Sequence, residues 1–180
     1  MQPFRLARRI YGMTQALVPL HRRALLTVGG ASLIGLALSR PALADEAAFA
    51  SAPERRITDA QWRARLPGLS YDVLRHEATE RPFTSPLNDE HRAGTFVCRG
   101  CELPLFLSAW KFDSGTGWPS FFRVNPANIG TKRDLAIGFP RTEYHCARCL
   151  GHQGHLFDDG PRPTGKRYCN NGAALSFKPG

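Results

Sequence analysis

Two kinds of patterning divide the chain. The stretch "TDAQWRARLPG" (58–68) carries a helix start, with Thr58 as N-cap and Gln61 three residues later, and a stop at Pro67-Gly68. A second short helix is expected to begin at Ser70 and run through "YDVLRHE". From Arg81 onward helical periodicity vanishes. Short strand-like pieces, "GTFVC" (94–98), "LAIGFP" (135–140), "HLFD" (155–158) and "AALSF" (173–177), alternate with Gly, Pro and Asn. That alternation predicts a mainly β domain of antiparallel strands behind short N-terminal helices.

Upstream lies a different pattern. Arg22-Arg23 precede an uncharged stretch from Ala24 to Leu38, followed by Ala42-Leu43-Ala44. These are the basic region, apolar core and small-residue cleavage site of an export signal. Diluted by Gly29, Gly30 and Gly35, the apolar part is short for a membrane span of about 20 residues. The arginine pair also suits a twin-arginine signal, which carries folded proteins. The expected organisation is therefore a signal peptide over 1–44, a flexible lead-in over 45–56 and one domain over 57–180. The expected location is the periplasm, without stable membrane association once the signal is cleaved. The alternative is an uncleaved N-terminal anchor.

Composition changes the picture in one respect. A net charge of +9 suggests nucleic acid, but residues 1–44 hold six arginines and no acid. Without them 18 basic residues face 15 acidic ones, or +3. The domain itself has no basic excess to recommend nucleic acid as a partner.

Four of the five cysteines form two C-x-x-C pairs, "CRGC" (Cys98, Cys101) and "CARC" (Cys146, Cys149). Each pair lets two thiolates of one tight turn meet the same ion, and two pairs complete a tetrahedral all-sulfur site that favours zinc. Such a closed site has no open coordination position, so its role is structural, with one Zn2+ per chain. The competing reading is two disulfides, but bridges across C-x-x-C close tiny loops and constrain the unfolded chain little.

Cys169 is left over. An odd cysteine in an exported protein is either an inert buried residue or a reactive thiol. Arg167, two positions away, shares its face if the segment is a strand, and a guanidinium there lowers the thiol pKa. "GHQGHLF" offers His152 and His155 as proton donors. In "FDSGTGWPSFF", Gly115 and Gly117 permit a tight turn presenting Trp118, either as plain core or as the wall of a small apolar pocket.

"VLRHEATERPFTSPL", "GTFVCRGCELPLF", "KFDSGTGWPSF", "CARC…GHQGHLFDDGPRPTG" and "RYCNNGAALSF" together resemble the B-type methionine sulfoxide reductases, over about Thr58 to Phe177. The resemblance implies two antiparallel sheets in a tent-like arrangement with short N-terminal helices. It also implies reduction of the R epimer of methionine sulfoxide, protein-bound and free, and thereby repair of oxidised proteins. Residue by residue, it makes Cys169 the nucleophile and Arg167, Asn171, His152 and His155 its companions. Trp118 becomes the surface for the substrate methyl group, and the four knuckle cysteines become zinc ligands. The partners implied are oxidised methionine residues and a thioredoxin-like or other thiol reductant. Two segments depart from the family. Asn170-Asn171-Gly172 stand where an aliphatic residue, Asn and Ser are usual, which implies a more polar or more mobile wall. Thr116 stands where the family often has cysteine. The rival reading is a zinc-stabilised binding module, since fold does not fix function; it leaves Cys169, Arg167 and the histidine pair without a purpose.

Overall fold

The computed structural model describes residues 46–180; the signal-like segment lies outside them. The helical expectations are met closely. α1 spans Asp59–Arg65, and the Thr58–Gln61 capping box is formed in both directions. The extended backbone of Leu66 ends it before Pro67, and α2 follows over Gly68–His76. Trp62 of α1 and Tyr71, Val73 and Leu74 of α2 are buried, so both helices turn an apolar face to the same core. Residues 45–56, expected to be a loose lead-in, contain 3-10 turns at Glu46–Phe49 and Pro53–Arg56. They are tied down by the Arg55 guanidinium, which donates to the Arg148 and Ala147 carbonyls at 2.8 and 2.6 Å.

Nine strands follow: β1 Gly94–Cys98, β2 Pro104–Leu107, β3 Lys111–Phe112, β4 Ser120–Phe121, β5 Ile129–Asp134, β6 Arg141–Cys146, β7 His152–Phe157, β8 Arg167–Asn170 and β9 Leu175–Pro179. They form two antiparallel sheets, one ordered β2-β1-β9 and the other β3-β4-β8-β7-β6-β5. Aromatic rings join the sheets. Phe106 of β2 stacks on Phe121 of β4 with centroids 4.0 Å apart, and Phe96 of β1 meets the same ring edge-on at 5.0 Å. These rings are fully buried, and pairs of this geometry stabilise by about 1 kcal/mol beyond their buried area.

One expected strand is absent. "LAIGFP" is the turn joining β5 to β6, closed by the Gly138 amide donating to the Leu135 carbonyl at 3.1 Å. The strands flanking it, "IGTKRD" and "RTEYHC", look polar for two reasons: β5 is an edge strand with Lys132 and Arg133 exposed, and β6 buries Glu143 against His145 and His152.

Candidate active site

The second sheet positions the chemistry. Strands β4, β8 and β7 are neighbours, and their register sets Ser120 opposite Cys169 and Cys169 opposite His155. Directly paired residues share one sheet face with Cβ atoms about 5 Å apart. Cys169 and His155 therefore point into the same space. It is an open cleft of about 120 Å3, lined by Thr79, Trp118, Arg141, His155, Cys169 and Asn171 among others. A volume below the usual ligand range of roughly 300–1,000 Å3 suits one side chain better than a cofactor. Gly154 is required by this geometry: a Cβ there would lie 1.9 Å from the Cys169 carbonyl oxygen.

Trp118 is presented as its glycines suggested. Gly117 has φ +90, and a Cβ on it would stand 2.8 Å from the Phe83 amide nitrogen. The indole N–H donates to the Glu80 carbonyl at 3.1 Å, which fixes the ring as a wall of the cleft. The Glu80 carboxylate, itself buried, accepts the Gly172 and Ala173 amides. One residue thus holds both the tryptophan wall and the turn after Cys169. A side chain at 172 would collide with Ser85, whose Oγ lies only 1.8 Å from where a Cβ would stand; this close approach accounts for glycine there.

The two histidines touch but differ in access to the cleft. His155 lies in the cleft, and its Nε2 is 2.8 Å from Asp134 Oδ2. Burial pushes its pKa below the usual value, outweighing the hydrogen bond to Asp134. Asp134 is held well below the carboxylate range by the Ala136 amide, by His155 and by Arg141. His152 is buried behind it, the two rings meeting edge-on with centroids 5.5 Å apart, and its Nδ1 is 2.7 Å from Glu143 Oε1. It borders a second cavity with Glu143 and His145. Of the two sequence candidates, only His155 is in the cleft with Cys169.

Arg167 shares the Cys169 face but is not free to pair with it alone. Its guanidinium grips both Asp159 oxygens at 2.8 Å and covers the Phe157 ring at 4.2 Å. The expected lowering by Arg167 is present but does not decide the thiol pKa. Burial pushes the Cys169 thiol up, and the opposing effects of Arg167 and the Thr116 hydroxyl do not cancel it. Thr116 continues into a hydroxyl chain, with Ser114 Oγ 2.8 Å from both Thr116 Oγ1 and Ser120 Oγ.

Asn171 lines the cleft, but both ends of its side chain are engaged with backbone. Oδ1 accepts the Glu80 amide at 3.0 Å and Nδ2 donates to the Gln153 carbonyl at 3.1 Å. The wall beside the nucleophile is indeed polar, yet it is tied in place. Asn170 is fully buried, accepts the Tyr144 hydroxyl at 2.7 Å and donates to the Asn171 carbonyl at 2.7 Å.

The four knuckle cysteines converge. Their sulfurs lie within 4.8 Å of one another, with Cys101–Cys146 at 3.4 Å and Cys98–Cys149 at 3.6 Å. None of the four is joined in a disulfide, and both cross-pair spacings exceed the roughly 2.0 Å of an S–S bond. Four sulfurs at about 2.3 Å from a tetrahedral ion would be about 3.8 Å apart, so the cluster can hold a metal. The knuckles are also copies of one turn. Glu102 and Leu150, directly after each pair, have φ 60 and 59, and their amides donate to the Cys98 and Cys146 carbonyls. Gly151 N–H and Gln153 Nε2 point at Cys149 and Cys98 sulfur, at 3.4 and 3.5 Å. Such donors favour thiolates over thiols. Through Gln153, whose carbonyl accepts from Asn171, the cluster is joined to the turn beside Cys169.

Asp134, Asp159 and Glu80 were not singled out from sequence. Asp159 sits in "FDDG" beside Asp158, and nothing in the spacing says which one meets Arg167.

A family model for the SelR domain matches residues 66–179. The chain is 53% identical over 125 residues to the peptide methionine sulfoxide reductase MsrB of Bradyrhizobium diazoefficiens, covering 68% of this chain and 88% of that one. It is 52% identical over 123 residues to the MsrB of Thiobacillus denitrificans, covering 68% and 93%. To the chloroplastic peptide methionine sulfoxide reductase B1 of Arabidopsis thaliana it is 49% identical over 122 residues, covering 67% and 60%.

Proposed function

Because this chain belongs to the SelR-domain family of methionine-R-sulfoxide reductases, and so reduces its substrate by cysteine redox chemistry, we propose that Cys169 is the nucleophile and His155 the proton carrier. The observation that carries this reading is their direct pairing across β7 and β8, inside a cleft walled by Trp118. The substrate's methyl group rests on the Trp118 ring, and its sulfur stands before Cys169.

The balance of the step explains why a raised thiol pKa is compatible with attack. Cys169–SH and the sulfoxide become Cys169–SOH and a thioether: oxygen passes between the sulfurs, which exchange two electrons, and no proton is gained or lost overall. The thiol proton must leave as the sulfur attacks, and the sulfoxide oxygen must be protonated to become a leaving group. Imidazole beside both atoms relays one proton. Burial keeps His155 neutral in the resting site, so it can accept that proton, and Asp134 stabilises the ring once charged. The Arg167 guanidinium, braced by Asp159, stabilises the developing thiolate.

Resetting follows from Thr116, which places a hydroxyl at Cys169. A hydroxyl cannot resolve a sulfenic acid, so an external thiol attacks Cys169–SOH, releasing water and leaving a mixed disulfide that a second thiol reduces. A thioredoxin-like protein or a small thiol serves this role. The four-cysteine cluster fits a structural zinc ion, which Cys98, Cys101, Cys146 and Cys149 would hold and which would tie β1 to the β6–β7 turn. Oxidised methionine in proteins is the substrate class.

The N-terminal segment makes this a repair enzyme of the periplasm, exported by Arg22-Arg23 and the apolar stretch after them. Among the described residues no helix is long and apolar enough to cross a membrane. The function is tested by supplying both epimers of methionine sulfoxide with dithiothreitol. Only the R half should disappear; consumption of both, or of neither, overturns the reading.

A further inference from the structure

The turn that the sequence disguised as a strand carries an exposed apolar surface. Leu135, Ile137 and Phe139 are 58%, 51% and 59% exposed, within six residues that contain no charge. Its two ends reach the cleft, one directly and one through His155. Arg141, closing the hairpin, lines it, and Asp134, paired with Arg141 in the last rung of β5–β6, is bonded to His155. Asp134 serves both places: Oδ1 accepts the Ala136 amide of the turn at 2.8 Å, while Oδ2 faces the cleft histidine. The apolar tip is thus a continuation of the cleft rim, fixed by the carboxylate that orients His155.

Resting on the reductase reading above, we infer that this tip is the docking surface for the apolar residues flanking an oxidised methionine in an unfolded stretch of substrate protein. The partner's chemistry follows from the substrate. Methionine is mostly a core residue, so chain neighbours exposed with it on unfolding are often apolar, and burying them against Leu135, Ile137 and Phe139 recovers hydrophobic free energy. Three residues from either base of the turn reach at most about 10 Å. An extended peptide advances about 3.3 Å per residue. The tip therefore meets side chains up to roughly three positions from the oxidised methionine on one side, and free methionine sulfoxide does not reach it.

The test is the full chain carrying Leu135→Ser, Ile137→Ser and Phe139→Ser together, none of which lines the cleft. Three probes are compared: N-acetyl-methionine-(R)-sulfoxide and two peptides of equal length, with leucine and phenylalanine or with serine around the oxidised methionine. Wild type should favour the apolar peptide on the order of tenfold in kcat/KM, through KM, since that is the scale of one or two apolar contacts. The triple variant should lose this preference while keeping its rate on the N-acetyl amino acid. An unchanged preference, or an equal loss on all three probes, overturns the inference. So does a wild-type dimer that the triple variant dissociates in sedimentation, which would make the tip a contact between copies. If wild type fails even on the N-acetyl amino acid, the reductase reading falls as well; a failure confined to the peptides strikes the tip alone.

Discussion

Cys169 and His155 face each other across two adjacent antiparallel strands, and the backbone between them is packed so closely that only glycine fits at 154. Nucleophile and imidazole are thus placed by strand register, the least flexible positioning a fold offers.

His155→Ala should therefore leave the fold intact and lower kcat by 10²–10⁴-fold, roughly the contribution of a positioned proton carrier. Asp134→Asn should cost less, and its loss should be smaller at low pH than at high pH, because removing the carboxylate lowers the ring's pKa and leaves more of the neutral form that accepts the thiol proton. A rate unchanged in His155→Ala, measured with the R epimer in excess dithiothreitol, contradicts the assignment.

Burial raises the Cys169 pKa and Arg167 opposes it. The thiolate fraction grows with pH, so alkylation of Cys169, followed by mass spectrometry of its peptide, should still be rising above about pH 8.5, the range of an ordinary thiol. Arg167→Ala removes an effect that lowers the pKa, so its profile should move to higher pH. A wild-type plateau reached by about pH 7 would contradict the account.

Asn170 stands where the family usually carries an aliphatic residue, and it accepts the buried Tyr144 hydroxyl. Asn170→Val should destabilise by about 1–3 kcal/mol, the cost of stranding that hydroxyl. Adding Tyr144→Phe should recover most of it. Additive losses in urea unfolding would show that the pair is not coupled.

Cys98→Ser and Cys149→Ser should each lower zinc content from about one per chain towards none, and both should melt far below wild type, because binding a structural metal is folding free energy. Metal-free protein of full stability is the contrary result.

The fold was legible wherever local chemistry dominates. Thr58 and Gln61 announced the capping box, and Gly117 the turn under Trp118, since caps and positive φ are properties of a few adjacent residues. The apolar turn at 135–140 misled because apolarity ordinarily signals burial, and the polar edge strand beside it hid its own pairing. β3 and β4 contain two residues each, too few to leave a pattern. In the site, the sulfur and imidazole residues could be picked by type, whereas Asp134, Asp159 and Glu80 act through long-range contacts that spacing does not encode. The sign of the Cys169 shift was also beyond sequence, because Arg167 is visible there and burial is not.

Thr116 lies beside Cys169, so Thr116→Cys should create a resolving thiol. After one turnover the variant should hold a 116–169 disulfide and react faster with a thioredoxin-like reductant. A free thiol at 116 beside an oxidised Cys169 would show that the two do not meet.

The central claim is that a single thiol, Cys169, performs the reduction. The most direct measurement is one turnover of unmodified protein with methionine-(R)-sulfoxide and no reductant, analysed by mass spectrometry with dimedone present. One methionine should be released per chain, with a dimedone adduct on Cys169 and no new disulfide. Methionine released with Cys169 unmodified, or with Cys169 bridged to a knuckle cysteine, would contradict the claim.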